Sequence, residues 1–370
     1  MAFCVLTYTI RQANAVNASN LMILAKPMGM KNFRQNLFGI QAIAIVIFFW
    51  LILITPTRSN GQTGIDTSTF HSSIAQFDLA NSIVMIGEAH EVAGTYGLEK
   101  FIIEELSRKG FTNLILEAGN SEAEIYNMYM RTGNEELLNY TRARHSNYRA
   151  FITSLRKVNP ELHFEGVDFE RGVCLQLVFD SLFAQVKEAS LLEYLRPLKS
   201  ITGKTAAGKI KHLILSAAAE YGRYETLLKK ELGEKETVFR KIIFNPVFQA
   251  DFGLSSVNRD RAIFKSLSAM SDTLLRHSIL IFGSNHFTNK DHFGELLSNN
   301  NSTGVNLVWI LFGYTDCTNF LRKGLYSSGE PLLGTIEHLS KAKPSVGFYL
   351  LEEHENIRQK KWILAHLVHQ

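Results

Sequence analysis

The chain has 370 residues, 46% of them apolar and 20% charged. That composition supports a large buried core and excludes a disordered, collagen-like or small disulfide-built protein. Cys4, Cys174 and Cys317 are too few for a disulfide framework or a Cys-rich zinc module, although Cys174 and Cys317 could form one bridge. The formal net charge is +4, but residues 1–61 hold Arg11, Lys26, Lys31, Arg34 and Arg58 and no acid, which leaves 34 bases facing 35 acids. A nearly neutral body gives nucleic acid no electrostatic footing, and none is expected as a partner.

Residues 37–54 read LFGIQAIAIVIFFWLILI, a charge-free run whose length lies between a signal-peptide core and a bilayer span. Lys31 and Arg34 precede it and Arg58 follows, so the positive-inside rule sends the body out of the cytoplasm. Residues 1–61 are therefore expected to be a signal peptide or an N-terminal anchor, with 1–27 an over-extended start, because Met28 or Met30 would open a compact basic segment. Small residues at 59–61 offer cleavage before Gln62. The expected location is periplasmic or extracellular, or on the outer side of the inner membrane. Membrane contact then runs through residues 37–54 if the segment stays uncleaved.

From residue 62 the pattern alternates. Short, continuous apolar runs at 82–86, 113–116, 163–167, 278–282, 307–312 and 346–351 read as strands buried on both faces. Helical periodicity fills the intervals at 97–109, 122–131, 135–142, 148–158, 173–189 and 259–270. Residues 62–370 are thus expected to form one α/β domain, a mostly parallel doubly wound sheet with flanking helices. Residues 190–250 break the alternation with Lys- and Glu-rich helical sequence and no convincing strand, and read as a helical insertion at one edge of the site.

In such a sheet, chemistry gathers outside the carboxyl ends of the strands. The first strand ends Gly87-Glu88-Ala89-His90, the second Glu117-Ala118-Gly119, the third Gly166-Val167-Asp168, and the fourth Gly283-Ser284-Asn285-His286. One acidic residue at a strand end is usually a helix cap or turn former, as Asp168 alone would be. Four such ends together indicate a site, because buried carboxylates and imidazoles are costly unless paired or used. Glu88 and His90, two apart on an extended segment, project to one side, which makes His90 the candidate general base. His286 could donate to an oxyanion, or complete a metal site with Glu88, His90 and Glu117. No Gly-x-Ser-x-Gly elbow, His-Glu-x-x-His helix or Rossmann glycine fingerprint occurs. What is left is water activated by histidine and carboxylates. No cofactor is required for that, though a divalent metal or haem is compatible with the residues.

The segments IVMIGEAHEVAGTYGLEKFIIEELSRKGFTNLILEAG, FITSLRKVNPELHFEGVDFERG, SVNRDRAIFKSL and ILIFGSNHFTN resemble, in order and spacing, the erythromycin esterase group and its ChaN-like relatives. The resemblance implies hydrolysis of a carboxylic ester or lactone in a small-molecule substrate. By it, His90 deprotonates water, Glu88 and Glu117 orient it, and Arg261 or His286 stabilises the oxyanion. Arg259 and Asp168, with His145 and Tyr148 in an aromatic segment that also holds Tyr126, Tyr129 and Tyr140, would contact the substrate. Against the macrolide esterases, Glu88-Ala89-His90 is one residue shorter, a spacing similar to ChaN-like haem-binding lipoproteins and Tiki-type metalloproteases. The alternative implied is a haem- or metal-binding surface protein without turnover.

Overall fold

The computed structural model describes residues 65–249, 256–289, 291–300, 305–315, 317–319, 324–326, 346–354 and 357–368. The apolar segment at 37–54 and the expected cleavage point lie outside the described residues. Among the described residues no helix is long and apolar enough to cross a membrane.

Six apolar runs become strands β1 (Ser82–Glu88), β2 (Asn113–Leu116), β3 (His163–Gly166), β4 (Ser278–Gly283), β5 (Asn306–Thr315) and β8 (Gly347–His354). Three more were not legible as strands: β6 (Cys317–Asn319), β7 (Gly324–Tyr326) and β9 (Ile357–Val368). Strands β6 and β7 form a separate antiparallel pair, while the other seven make one sheet in the order β3-β2-β4-β1-β5-β9-β8. Every neighbouring pair is parallel except β8 with β9, so the antiparallel strand sits at an edge.

Successive side chains on a strand point to opposite faces, and an unbroken apolar run therefore feeds two cores. Val84, Ile86, Leu114, Leu116, Ile279, Ile281, Val308 and Ile310 pack on one face, with Ile83, Met85, Ile115, Leu280, Phe282, Trp309 and Leu311 on the other. Helices α1 (Thr67–Ile74), α2 (Thr95–Ser107), α3 (Asn120–Thr132) and α4 (Ser146–Val158) bury apolar residues against the first face. The second is covered from later in the chain, by α10 (Ser256–Ser268), α12 (Asn285–Thr288) and α13 (Phe293–Asn299). The chain leaves β1 through α2 on one face and leaves β4 through α12 and α13 on the other. Because β1 and β4 are neighbours, a crevice opens where their carboxyl ends meet.

Between β3 and α10 lie α5 (Gly172–Phe183), α6 (Ala189–Lys199), α7 (Ala207–Leu232), α8 (Glu236–Ile243) and the single turn α9 (Pro246–Gln249). They share a core of their own around Phe179, Phe183, Tyr194 and Phe239. The insertion thus begins at α5, earlier than residue 190. Helix α5 ends at Phe183, short of the helix expected over 173–189, and α6 begins only at Ala189. Residues 135–142 are not an α-helix either, but two short 3₁₀ segments, Glu135–Tyr140 and Arg142–Arg144, with Thr141 between them capping the second. Cys174 and Cys317 are buried in different cores, so they do not bridge each other.

Candidate functional site

Parallel pairing sets Glu88 beside Gly283 at the ends of β1 and β4. Gly283 donates its N–H to Glu117 Oε2 at 3.0 Å, which draws the end of β2 into the same place. The end of β3 arrives by a backbone crossing: Asp168 N donates to Ala118 O at 2.8 Å. That crossing needs glycine on both sides, since a Cβ on Gly166 would lie 2.3 Å from Gly119 O and one on Gly119 would lie 2.5 Å from Glu170 Oε2. Glu170 uses the room so made to accept from Asn120 N at 2.8 Å and Ser121 N at 3.0 Å, capping α3, whose own N-cap residue, Gly119, has no side chain.

Around this frame carboxylates and imidazoles alternate. Glu88 Oε1 binds His90 Nδ1. His90 Nε2 lies 3.4 Å from Glu117 Oε2, and Glu117 Oε1 lies 3.2 Å from His286 Nε2. His286 Nδ1 is 2.8 Å from Asp260 Oδ1, and Asp260 Oδ2 is 2.8 Å from His292 Nδ1. Arg259 closes the group from α10, donating through Nη2 to Glu117 Oε1 at 2.6 Å and through Nε to Asp168 Oδ1 at 3.0 Å.

The protonation states follow. The Glu88 carboxylate, against the opposing effect of burial and with help from Glu117, pushes the His90 imidazole up to about 11. Burial works against a charged His286, but Asp260 and Glu117 outweigh it and raise that imidazole to about 9. Burial likewise opposes ionisation of Glu117, yet its bonds to His286 and His90 hold the carboxyl far below the usual carboxylate range. Near neutral pH both imidazoles are therefore cationic donors and Glu117 is a fixed anion.

Two cavities flank the group, one of about 550 Å³ and one of about 460 Å³, and Glu88, His90, Glu117 and Arg259 line both. The His90 side chain is 48% exposed, so it meets solvent where the cavities join. Of the residues expected from sequence, Asp168, His145 and Tyr148 line the larger cavity and His286 the smaller. Tyr126 and Tyr129 are packed in the core and Tyr140 is 40% exposed; none lines either cavity. Arg261 is exposed and lines neither cavity, because two helical steps turn it away from the face that Arg259 presents.

Sequence reasoning gave no role to Asp260, fully buried under His286 and His292, and missed Glu99, which is 1% exposed and lines the larger cavity. The signal existed in both cases. Glu99 sits one turn before Ile102 and Ile103, and Asp260 three residues before Ile263, so each acid occupies the apolar stripe of its helix. Tyr96, Arg142 and Arg171 were also missed as lining residues.

Among the described residues no three His, Cys, Asp or Glu side chains form a group that would hold a metal ion. The reason is visible in the alternation, where His90 and His286 each span two carboxylates instead of sharing one focus with them. Haem ligation by His90 and His286 would have to displace Glu117 from both Nε2 atoms.

No protein-family model and no curated protein sequence matches the chain. Solved structures do. A protein from Bacillus cereus is 16% identical over 83% of this chain and 93% of its own, with a TM-score of 0.55. A mutant of the erythromycin esterase EreC in its open conformation is 14% identical over 82% of this chain and 94% of its own, with a TM-score of 0.54. The chain shares the fold of these two structures. A looser likeness, TM-score 0.34 at 15% identity over 72% of this chain and 96% of the other, is to ChaN of Campylobacter jejuni with cofacially bound haem, and we draw nothing from it.

Proposed function

We propose that the erythromycin esterase-like body of this chain is an exported hydrolase of carboxylic esters or lactones, in which His90 takes a proton from the attacking water. The observation that carries the reading is the placement of His90: its Nδ1 is tied to Glu88, its ring is half exposed at the junction of two cavities, and cationic donors, Arg259 and His286, stand on Glu117 beside it. Glu88 fixes the tautomer and returns charge balance when the ring becomes an imidazolium. Arg259 and His286 supply positive charge where the carbonyl oxygen would become an oxyanion. Glu117 holds those cations and is itself too weak a base to compete for the proton. The balance is that of direct hydrolysis: water oxygen bonds to the acyl carbon, the ester C–O bond breaks, and the proton held by His90 passes to the leaving alkoxide.

Purified residues 62–370 should cleave p-nitrophenyl esters, and His90→Ala should lower kcat/KM by about 10²-fold or more, the usual worth of a positioned base. Unchanged turnover in the folded variant would remove His90 from the reaction. Export rests on residues 37–54 and the basic residues before them. Fractionation of cells expressing the full chain tests it: the body should be reached by protease added outside the cytoplasmic membrane.

A further inference from the structure

Resting on the hydrolase reading, we propose that the larger cavity is built for an anionic substrate, an ester carrying a carboxylate or phosphate group that Arg142, Arg144 and Arg171 hold while its acyl carbon faces His90.

All three arginines line the 550 Å³ cavity that His90 also lines. Glu122 is buried behind two of them and engages only their inner nitrogens: Oε1 lies 3.3 Å from Arg142 Nε, and Oε2 lies 3.7 Å from Arg171 Nε. Arg142 N also donates to Glu122 Oε1 at 2.8 Å, so the backbone is fixed together with the side chain. Among the described residues the terminal amino groups of both guanidiniums make no hydrogen bond to a carboxylate. Arg142 lies over the Tyr148 ring, 5.5 Å from its centroid, which holds the guanidinium plane in place. Arg144, exposed at the cavity rim, contacts only His145, at 3.4 Å.

Elsewhere in this cavity the basic groups already sit against carboxylates, and Glu91 also lines it. His90 is held by Glu88, and Arg259 by Glu117 and Asp168. At this end of the cavity three guanidiniums gather around one buried carboxylate, Glu122, and present forks shaped for bidentate oxygen anions. A second, independent feature points to a ligand. Glu99 is 1% exposed, lines the same cavity, and its Oε1 has no hydrogen-bond partner. Burial, and then the neighbouring Glu88, raise its carboxyl well above the ordinary range, so it stands as a neutral acid able to donate to a ligand oxygen. A purely apolar ester would leave the buried Glu99 donor without a partner.

The test compares p-nitrophenyl acetate with the monoanionic p-nitrophenyl hemisuccinate, together with binding of succinate and of inorganic phosphate by calorimetry. The wild type should prefer the anionic ester by about tenfold or more in kcat/KM, the worth of one charge-assisted hydrogen bond. Arg171→Ala and Arg144→Ala should each pull that ratio toward unity and weaken succinate or phosphate binding to a similar degree. Tighter binding of succinate than phosphate identifies a carboxylate ligand, and the reverse a phosphate one. Equal hydrolysis of both esters with no anion binding would overturn the proposal while leaving the hydrolase reading intact. Hydrolysis of neither ester together with anion binding that the arginine variants lose would overturn the hydrolase reading and keep the anion site.

Discussion

His90 carries the proposed chemistry and also sets its pH dependence. An imidazole raised to about 11 is protonated throughout the neutral range, and only its deprotonated form can accept a proton from water. The rate of ester cleavage, followed as kcat/KM against pH, should therefore keep rising well above pH 7. Glu88→Gln removes the largest contribution to the shift, so the rising limb should move toward the ordinary histidine value of 6.5 while maximal turnover falls about tenfold or more through loss of the oriented tautomer. A wild-type limb already at 6.5, or one that ignores this substitution, would refute the arrangement. Glu99 offers a stability readout of the same physics. Its folded-state pKa is raised above the unfolded value of 4.5, so the favourable contribution is complete below 4.5 and is lost as pH rises. Glu99→Gln should then raise the melting temperature at pH 8 relative to wild type and change it little at pH 4. Five of the site's groups, Glu88, His90, Glu117, Asp168 and His286, were readable because they follow apolar runs at strand ends. Glu99 and Asp260 were passed over because a charged residue on a helix ordinarily reads as solvated surface, although each sits in the apolar stripe of its helix, while Arg142, on a turn, had no such pattern to mark it.

The elements that aim these residues were legible to different degrees. Strands buried on both faces announce themselves as continuous apolar runs. Strand β9, by contrast, begins IRQKKW, polar enough to read as a loop, although Trp362–Leu367 is buried against β5. Its partner β8 was recognised as a strand but could not be placed without β9. The loop after β1 depends on a neighbour that no local pattern reveals. Tyr314, near the end of β5, accepts from Ala89 N at 3.0 Å and contacts Thr95 Oγ1 at 3.0 Å, tying the residue between Glu88 and His90 to the first residue of α2. Val92 bridges to Asn319, and Ala93 N donates to Thr318 O at 2.8 Å, so β6 pins the same loop from the other side. Within it Glu91 adopts φ 60°, a left-handed conformation that a non-glycine residue holds only when its surroundings impose it. Tyr314→Phe should cost about 1–3 kcal/mol in urea unfolding, the penalty for stranding buried polar groups. It should also lower kcat more than it raises KM, since the loop positions His90 rather than the bound ester. A loss confined to KM would mean that the tyrosine serves the cavity wall instead.

At the scale of the whole domain, two cores on the faces of one sheet would suffice for a doubly wound fold, and the helical insertion adds a third, which also takes in Ile125 of α3. Such an appendage is useful to a site only if something ties it there. The tie is Asn245, 1% exposed just after α8, which donates through Nδ2 to Asp168 O at 2.8 Å and to Glu170 Oε1 at 3.0 Å while its Oδ1 accepts from Val247 N at 3.0 Å. Asp168 grips Arg259 and Glu170 caps α3, so one amide joins the insertion to both walls of the crevice. Lys241, on α8, adds an ion pair to Glu165 of β3 at 2.6 Å, half exposed and worth correspondingly little. Asn245→Ala leaves the buried Asp168 carbonyl and the Val247 N–H unsatisfied, a cost of about 1–3 kcal/mol for such groups. The insertion's core around Phe179, Phe183 and Phe239 is left untouched by the change. Amide hydrogen exchange should therefore quicken at Asp168, Glu170 and the first turn of α3 while the interior amides of α5 and α7 keep their protection, and ester turnover should fall as Arg259 loses its fixed partner. Uniform acceleration across the insertion would instead mean that its helices fold only with the sheet, and that Asn245 stabilises the domain as a whole rather than fastening one finished unit to the site of another.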